Sequence, residues 1–592
     1  MSPAPTAETP AMTGDASQRH ADLTLRAAYG LFVAGFFFAM SPNLVFLYGV
    51  HNDYEMLIFK SNGLLHHEAE HLFSIARPLA ALFANITLLP VSGFDDYRWT
   101  RLFSTLSVCL LGCQMIAICV HRLKVGVLEA LAVSLTTFLV PAFVYSVLNA
   151  PAWGTHLVPI FFAFVAYGIL SRANVLAFPF LGIVERRDAI GFWRQTIAYA
   201  RLREVWVSSL VLQIAFLDFP PNALILVIFP VVTLLFSQTP AAYRALVALR
   251  DLAFVVLNTI LYTVLAKLFL IPIARFLIFR NSEEWRSTGL SDFDRRLAGS
   301  YDFKFTADFG EVFSRLERLA RVSSDLWFMP QASFHVAAAA VILAGALVVA
   351  ARSMSAPANA RRTLVFGAAK IAVVFCCFLL AGSAVLAAGG GFVSYRTIPV
   401  ATAVVAVTFV ASVQSVAGLM GKFAFSAALL FPVAAAIAGN FELNYLTMKL
   451  ARNETAYFQS LITKALEKQT NVLFIIDPRP FSLPEDNPIM VDRGGRAAPP
   501  YELGCLSSVC LQNGAIATIL AERRGIPRGQ LRVFPIRGAE PVAGVTCELL
   551  EAPQLVVPAG ASERAVGTIK YWRNLAPFTC VPFSLAWHDL AR

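Results

Sequence analysis

Long apolar runs separated by short polar connections fill most of the chain, near 29–49, 102–120, 125–147, 155–171, 205–217, 222–237, 251–272, 334–351, 364–388, 397–415 and 423–439. A helix needs roughly 20 apolar residues to cross a ~30 Å hydrocarbon core, so these runs predict about eleven transmembrane helices. The fifth and sixth are short and flank LDFPPN (217–222), which predicts a tight hairpin there. After residue 440 the pattern changes. NYLTMKLARNETAYFQSLITKALEKQ (444–469) has the period of a helix leaving the membrane, NVLFIID (471–477) is an apolar run ended by Asp-Pro, and QLRVFPI (530–536) is a second strand pattern. NGAIATILAERRGIP (513–527) lies between them and predicts a helix stopped by Gly and Pro. Residues 441–592 are therefore expected to form an α/β domain outside the membrane, of ordinary domain size.

Composition agrees with this pattern. The 592 residues are 57% hydrophobic and only 15% charged, and a mean hydropathy of +0.63 exceeds what a soluble surface carries. Lys and Arg gather in alternate connections: Arg19 and Arg26, His121-Arg122-Leu123-Lys124, Arg172 to Arg203, Arg244 and Arg250, and Arg352 to Arg362. Connections 148–154 and 217–222 hold almost none. The positive-inside bias then predicts a cytoplasmic N-terminus, and an odd number of spans places the C-terminal domain on the other side, together with loops 51–101 and 273–333. The Arg-rich 273–333 loop opposes this bias, but long loops translocate largely regardless of charge. A net charge of +10 suits a basic cytoplasmic face against anionic lipid. No basic patch interleaved with aromatics suggests nucleic acid as a partner.

Residues 1–25, rich in Ala, Thr, Pro and Ser, predict a disordered cytosolic tail rather than a signal peptide. ERRDAIGFWRQTIAYARLRE (185–204) predicts a helix lying on the inner membrane surface, and FGEVFSRLERLARV, within 281–330, one on the outer surface. Five of the nine cysteines, Cys109, Cys113, Cys119, Cys376 and Cys377, fall in the apolar runs and read as small core residues. Cys505, Cys510, Cys547 and Cys580 all fall in the C-terminal domain, where an even number outside the cytoplasm predicts disulfides, with three pairings open.

The 51–101 loop is chemically distinct, with Asp53, Glu55, Glu68, Glu70, Asp95, Asp96 and four of the nine histidines. It contains HHEAEH (66–71), and so the His-Glu-x-x-His pattern of zinc proteases. Glu70 stands where that pattern asks for an uncharged residue, no third ligand follows at a helical spacing, and the hexad lies in a connecting loop. The favoured reading is a loop helix with His67, Glu70, His71 and Ser74 on one polar face. Asp95 and Asp96, before Tyr97-Arg98-Trp99, read as a solvated acidic turn, with support of an acceptor or a metal as the other reading.

Around the hexad, HNDYEMLIFKSNGLLHHEAEHLFSIARPLAALFANITLLP resembles the start of membrane glycosyltransferases of the GT-C superfamily, the bacterial O-antigen glucosyltransferase family in particular. Asp53 and Glu55 match an acidic pair beyond the first span, which in the family is usually adjacent. Ala76-Arg77-Pro78-Leu79 matches a Gly-Arg motif with Ala in place of Gly. IAFLDFPPNALILVIFP (214–230) resembles a span-to-span turn where Tyr-Gln-Pro is usual, and SYRTIP (394–399) a short external Tyr-Arg turn. The likeness spans most of 25–470 in topology and leaves the terminal domain uncovered.

The resemblance implies a bacterial inner-membrane enzyme. It would move a sugar from a polyprenyl-phosphate donor to a lipid-linked or surface glycan, without an obligate cofactor but compatible with a divalent cation. A carboxylate would take the acceptor proton and a cation would face the departing phosphate. Asp53 is the expected base, with Glu55 second. Arg77 is the expected phosphate- or acceptor-orienting cation, with Arg396 behind it, and His67, Glu70, His71, Asp95 and Asp96 would line the acceptor side. The ordinary readings stand beside these: Asp53 as a solvated loop acid and Arg77 as an interfacial anchor. A flippase or transporter of lipid-linked glycan is the alternative class. It would place ionisable groups within the spans, which here hold few beyond Glu129, Lys267 and Lys370. A zinc protease using HEAEH and a scaffolding membrane protein complete the set.

Overall fold

A computed structural model describes residues 13–46, 53–61, 63, 65, 69, 72–73, 76–148, 153–176, 189–280, 309–324, 326–327, 334–354, 360–383, 386, 398–477, 491–492, 496–497, 513–527, 530–537, 546–553, 569–571, 573–574 and 577–582. The protein is a helical bundle, and six helical stretches among the described residues are long and apolar enough to cross a membrane: Thr24–Val45, Phe94–Arg122, Gly154–Ala173, Tyr243–Ala274, Pro399–Ala417 and Phe423–Glu467. The other apolar runs also coincide with helices, all shorter in apolar extent, such as Val127–Phe138, Pro220–Phe236, Val336–Ala351 and Gly367–Ala381.

Proline explains where helices break. The 125–147 run, expected to be continuous, is two helices, Val127–Phe138 and Pro141–Leu148, because Pro141 offers no N–H and disfavours helical geometry before it. The Leu139 carbonyl at the break accepts from Asn440 Nδ2. In Thr13–Val45, Pro42 cannot donate to the Phe38 carbonyl, and the Ser41 hydroxyl does so instead at 2.8 Å. Asn444 Nδ2 reaches the Ala39 carbonyl at 2.7 Å from the Leu430–Glu467 helix. Inside a bilayer such side-chain donors replace the water that a broken helix would otherwise need. The first helix begins at Thr13, so residues 13–25 are helical where a disordered tail was expected. Ala27, Ala28 and their neighbours let the span propagate toward the N-terminus at little cost.

Helices Ala189–Ala200 and Phe309–Ser323 form where surface helices were expected. The second leaves Phe309 and Phe313 exposed, as a helix lying against lipid would.

The 38-residue helix Leu430–Glu467 leads into a three-stranded parallel sheet, Arg532–Arg537, Val472–Asp477 and Phe578–Pro582 in spatial order, with Asn513–Arg523 packed on it. The central strand is apolar and buried from Val472 to Ile476, as a strand covered on both faces is. Its Phe474 pairs with Phe534 on one side and Cys580 on the other. Cys580 is disulfide-bonded to Cys547, with Cα atoms 5.5 Å apart. Cys505 and Cys510 lie outside the described residues.

The sheet does not stand apart from the 51–101 loop. Met56, Leu57, Leu88, Val91, Phe94 and Tyr97 from the loop share one hydrophobic core with Phe458, Leu461, Ile462, Leu473, Ile475, Ile516 and Leu520. Arg523 adds an ion pair to Asp95 at 2.8 Å and lies over the Phe94 ring at 5.2 Å. The C-terminal segment thus caps the end of the bundle at which the loop lies.

Candidate functional site

Polar side chains converge beneath that cap, between the loop and the 218–222 turn. The construction starts at Ala76. Its φ of +63° is left-handed, its N–H bonds the Phe73 carbonyl at 3.0 Å, and the Arg77 N–H bonds Leu72 at 2.9 Å. These two bonds are the Schellman arrangement that ends a helix, and Pro78 then starts the next one, Pro78–Leu88. Lys60 Nζ closes the far end of that helix on the carbonyls of Leu88, Leu89 and Val91. Arg77 is held between the two helices, and its guanidinium lies 4.6 Å from the centre of the Phe219 ring.

Phe219 caps the turn after Arg203–Asp218 and stacks with the His156 ring at 4.7 Å. His156 shares its Nδ1 with the Thr155 hydroxyl at 2.8 Å, and its carbonyl accepts from Asn222 Nδ2 at 2.8 Å. The segment carrying His156 approaches Pro78–Leu88 through Gly154: a Cβ there would stand 2.5 Å from the Phe83 carbonyl oxygen. Tyr262 donates to the Ala76 carbonyl at 3.1 Å and stacks on Phe216.

Asp218 is the chemically unusual member. It is completely buried, and neither carboxylate oxygen has a hydrogen-bond partner among the described residues. Burial pushes its carboxyl up to about 8, and the positive charge of nearby Arg77 only partly offsets that rise. A carboxylate poised to exchange a proton therefore sits in the field of an arginine. That is the pair of groups needed to take a proton from a nucleophile and to face an anionic leaving group.

The expected residues divide. Arg77 belongs to the cluster. Asp53 is fully buried, its Oδ2 3.2 Å from Arg101 Nη2, and its carbonyl accepts from Tyr97 at 2.7 Å. It is therefore no solvated loop acid: it ties the start of helix Asp53–Ser61 to helix Tyr97–Ala117. Asp96 accepts from the Ser92 N–H and hydroxyl and from the Gly93 N–H, all within 2.9 Å, and so shapes the turn before Tyr97. Asp95 is exposed and engaged by Arg523. Glu55 is on the Asp53–Ser61 helix, but its side chain lies outside the described residues, as do His67, Glu68, Glu70, His71 and Arg396. Among the described residues no three His, Cys, Asp or Glu side chains gather to hold a metal.

No family model, curated protein or solved structure matches the chain. Two of the segments that carry the likeness, 76–79 and 214–230, meet at the Arg77–Phe219 contact. Asp218, Asn222 and His156 were not singled out as site residues. The available signal for Asp218 was an acidic residue at the mouth of two short apolar runs, immediately before Phe-Pro-Pro.

Proposed function

We propose that the protein is a membrane glycosyltransferase that moves a hexose such as glucose from a polyprenyl-phosphate donor to a cell-surface glycan such as O-antigen or lipopolysaccharide. The reaction takes place at the end of the bundle under the C-terminal cap, outside the cytoplasm of a bacterial inner membrane. About eleven helices carry it, with the C-terminal sheet as an extracytoplasmic α/β domain. An acceptor oxygen attacks the anomeric carbon while Asp218 takes its proton. The bond from that carbon to the phosphate oxygen breaks, the polyprenyl phosphate leaves with the electron pair, and Arg77 balances its charge. Attack opposite the leaving group inverts the anomeric centre. Asp53, the base expected from the loop, becomes the residue that positions the loop through Arg101, and Glu55 keeps its second place.

The observation that carries this reading is the buried carboxylate that has no hydrogen-bond partner among the described residues and lies in the field of an arginine. A transporter or flippase of lipid-linked glycan remains the second reading, because Asp218 and Asp251 are both buried among helices. Detergent-solubilised protein given polyprenyl-phosphate hexose and a glycan acceptor separates the two, since no membrane is left to cross. Transfer of the hexose, lost in Asp218→Asn, supports the transferase. No transfer, with lipid-linked glycan accumulating on the inner leaflet of cells lacking the gene, supports the transporter and overturns our reading.

A further inference from the structure

The half of the bundle away from the cap holds an acid that the proposed chemistry does not use. Asp251 is 1% exposed and lies inside the span Tyr243–Ala274. The Tyr167 hydroxyl, on the span Gly154–Ala173, donates to its Oδ2 at 2.8 Å. We infer that Asp251 is a proton-binding site, filled from the aqueous face at that end of the bundle by way of a water molecule and the Tyr167 hydroxyl. The inference does not depend on the proposed activity.

Three observations support it. The first is a route. A small recess with room for about one water molecule is lined by Arg122 and Tyr167 among others. Arg122 ends the span that begins in the cap core at Phe94, so the recess lies at the opposite end of the bundle. Most of its lining residues carry a hydroxyl: Tyr167, Ser171, Thr233, Ser237, Thr239 and Tyr243. A water in such a recess finds the polar partners that an apolar void lacks. The second is a relay. Tyr167 belongs both to the wall of the recess and to the hydrogen bond with Asp251, and its ring stacks on Phe229 at 4.0 Å, which fixes where the hydroxyl stands. As the water gives a proton to the Tyr167 oxygen, the phenolic proton passes to Asp251 Oδ2. The hydroxide left in the recess regains a proton from the aqueous face, so the net change is one proton taken up and one carboxylate made neutral. The third is the setting. A carboxylate among apolar helices is costly while charged, and ionisable groups at such depth mark ion and proton paths. The groups close enough to feel the Asp251 charge are Arg250 and Tyr243 on its own helix, Tyr167, Tyr199 on helix Ala189–Ala200, and Cys377 on helix Ala360–Ala381. The Arg250 guanidinium lies 4.8 Å from the centre of the Tyr199 ring. That aromatic face remains a partner for the cation when Asp251 becomes neutral, so both protonation states are accommodated.

The test is infrared spectroscopy of the purified full chain in detergent, titrated with acid in H2O and in D2O over the range in which it stays folded. Protonation of Asp251 should add a carboxylic C=O band that moves on deuteration and is missing from Asp251→Asn. Tyr167→Phe keeps the ring on Phe229 and deletes the hydroxyl, so it tests the site even if Asp251→Asn folds poorly. In that variant the band should shift in frequency, because its hydrogen bond is lost. After a rapid pH jump it should also form on the order of a hundredfold more slowly than in the wild type. Identical carboxylic bands in the wild type and Asp251→Asn overturn the site. A band of unchanged frequency and unchanged rate in Tyr167→Phe overturns the route through the recess.

Discussion

A carboxylate held away from water, with the field of Arg77 as its compensation, affects stability and activity in opposite directions. The Asp218 carboxyl is raised to about 8 in the folded protein, against about 3.9 for an aspartate in an unfolded chain. Between those values the folded state keeps a proton that the unfolded state has lost, so the neutral carboxyl is tolerated at low pH and stability falls as pH rises through this window. Asp218→Asn should abolish that dependence. Its melting temperature should match the wild type near pH 4 and exceed it near pH 8, read by thermal unfolding in detergent. The same proton must be absent for catalysis: a base works only once deprotonated, so hexose transfer should climb with pH toward a plateau above about 8. Asp218→Asn should lose on the order of 10²–10⁴-fold in rate at any pH. Asp53→Asn should behave otherwise. It strands the Arg101 guanidinium in a buried site, which costs roughly 3–5 kcal/mol of stability. Replacing both partners by apolar residues should restore much of the stability and, with it, the activity. A double variant that is stable yet inactive would return the base to Asp53.

Helix ends, more than helix interiors, build the site, and Ala76 is the position where this is most exposed to test. A left-handed φ costs an L-residue roughly 1–2 kcal/mol relative to glycine, and Ala76 carries that φ. Ala76→Gly should therefore stabilise the protein by about 1 kcal/mol without altering transfer, measured as a rise in melting temperature. Gly154→Ala should do the reverse, because its methyl would meet the Phe83 carbonyl and push His156 and Asn222 away from Phe219. These elements also mark how far the sequence could be read. Apolar length located the helices, and the runs at 471–477 and 530–536 became strands Val472–Asp477 and Arg532–Arg537: burial of the central strand leaves an apolar stretch, and the edge strand carries its β-branched and aromatic residues between two arginines. The strand Phe578–Pro582 was not legible: FTCVP is short, ends in proline and stands at the sheet edge. Arg77 could be found from its motif and Pro78. Asp218 could be seen only as part of a turn, since what distinguishes it is burial near a long-range neighbour, Arg77, without a hydrogen bond among the described residues, none of which leaves a periodic trace.

At the scale of the whole molecule, the core shared by the 51–101 loop and the C-terminal sheet fixes the end that holds Arg77 and Asp218 relative to the Cys547–Cys580 disulfide. Whichever side of the membrane holds that disulfide also holds Arg77 and Asp218. On the proposed orientation the two criteria agree: a disulfide persists outside the reducing cytoplasm, and the Arg-rich connections at the opposite end of the bundle suit the cytoplasmic face. The cap is also energetically coupled to the bundle. Leu461 is buried in the shared core, and Leu461→Ala should cost roughly 2–5 kcal/mol and loosen loop and sheet together. Breaking the exposed Asp95–Arg523 pair with Arg523→Ala should cost no more than about 1 kcal/mol. Orientation is open to one measurement: a membrane-impermeant maleimide applied to intact spheroplasts. It should leave Cys547 and Cys580 unmodified before reduction and label them after treatment with an impermeant phosphine, while a cysteine introduced at exposed Lys124 reacts only once the membrane is permeabilised. Labelling of the position-124 cysteine in intact spheroplasts, with the disulfide pair reached only after lysis, would invert the molecule and move the proposed transfer site to the cytoplasm, where a surface glycan acceptor would be out of its reach.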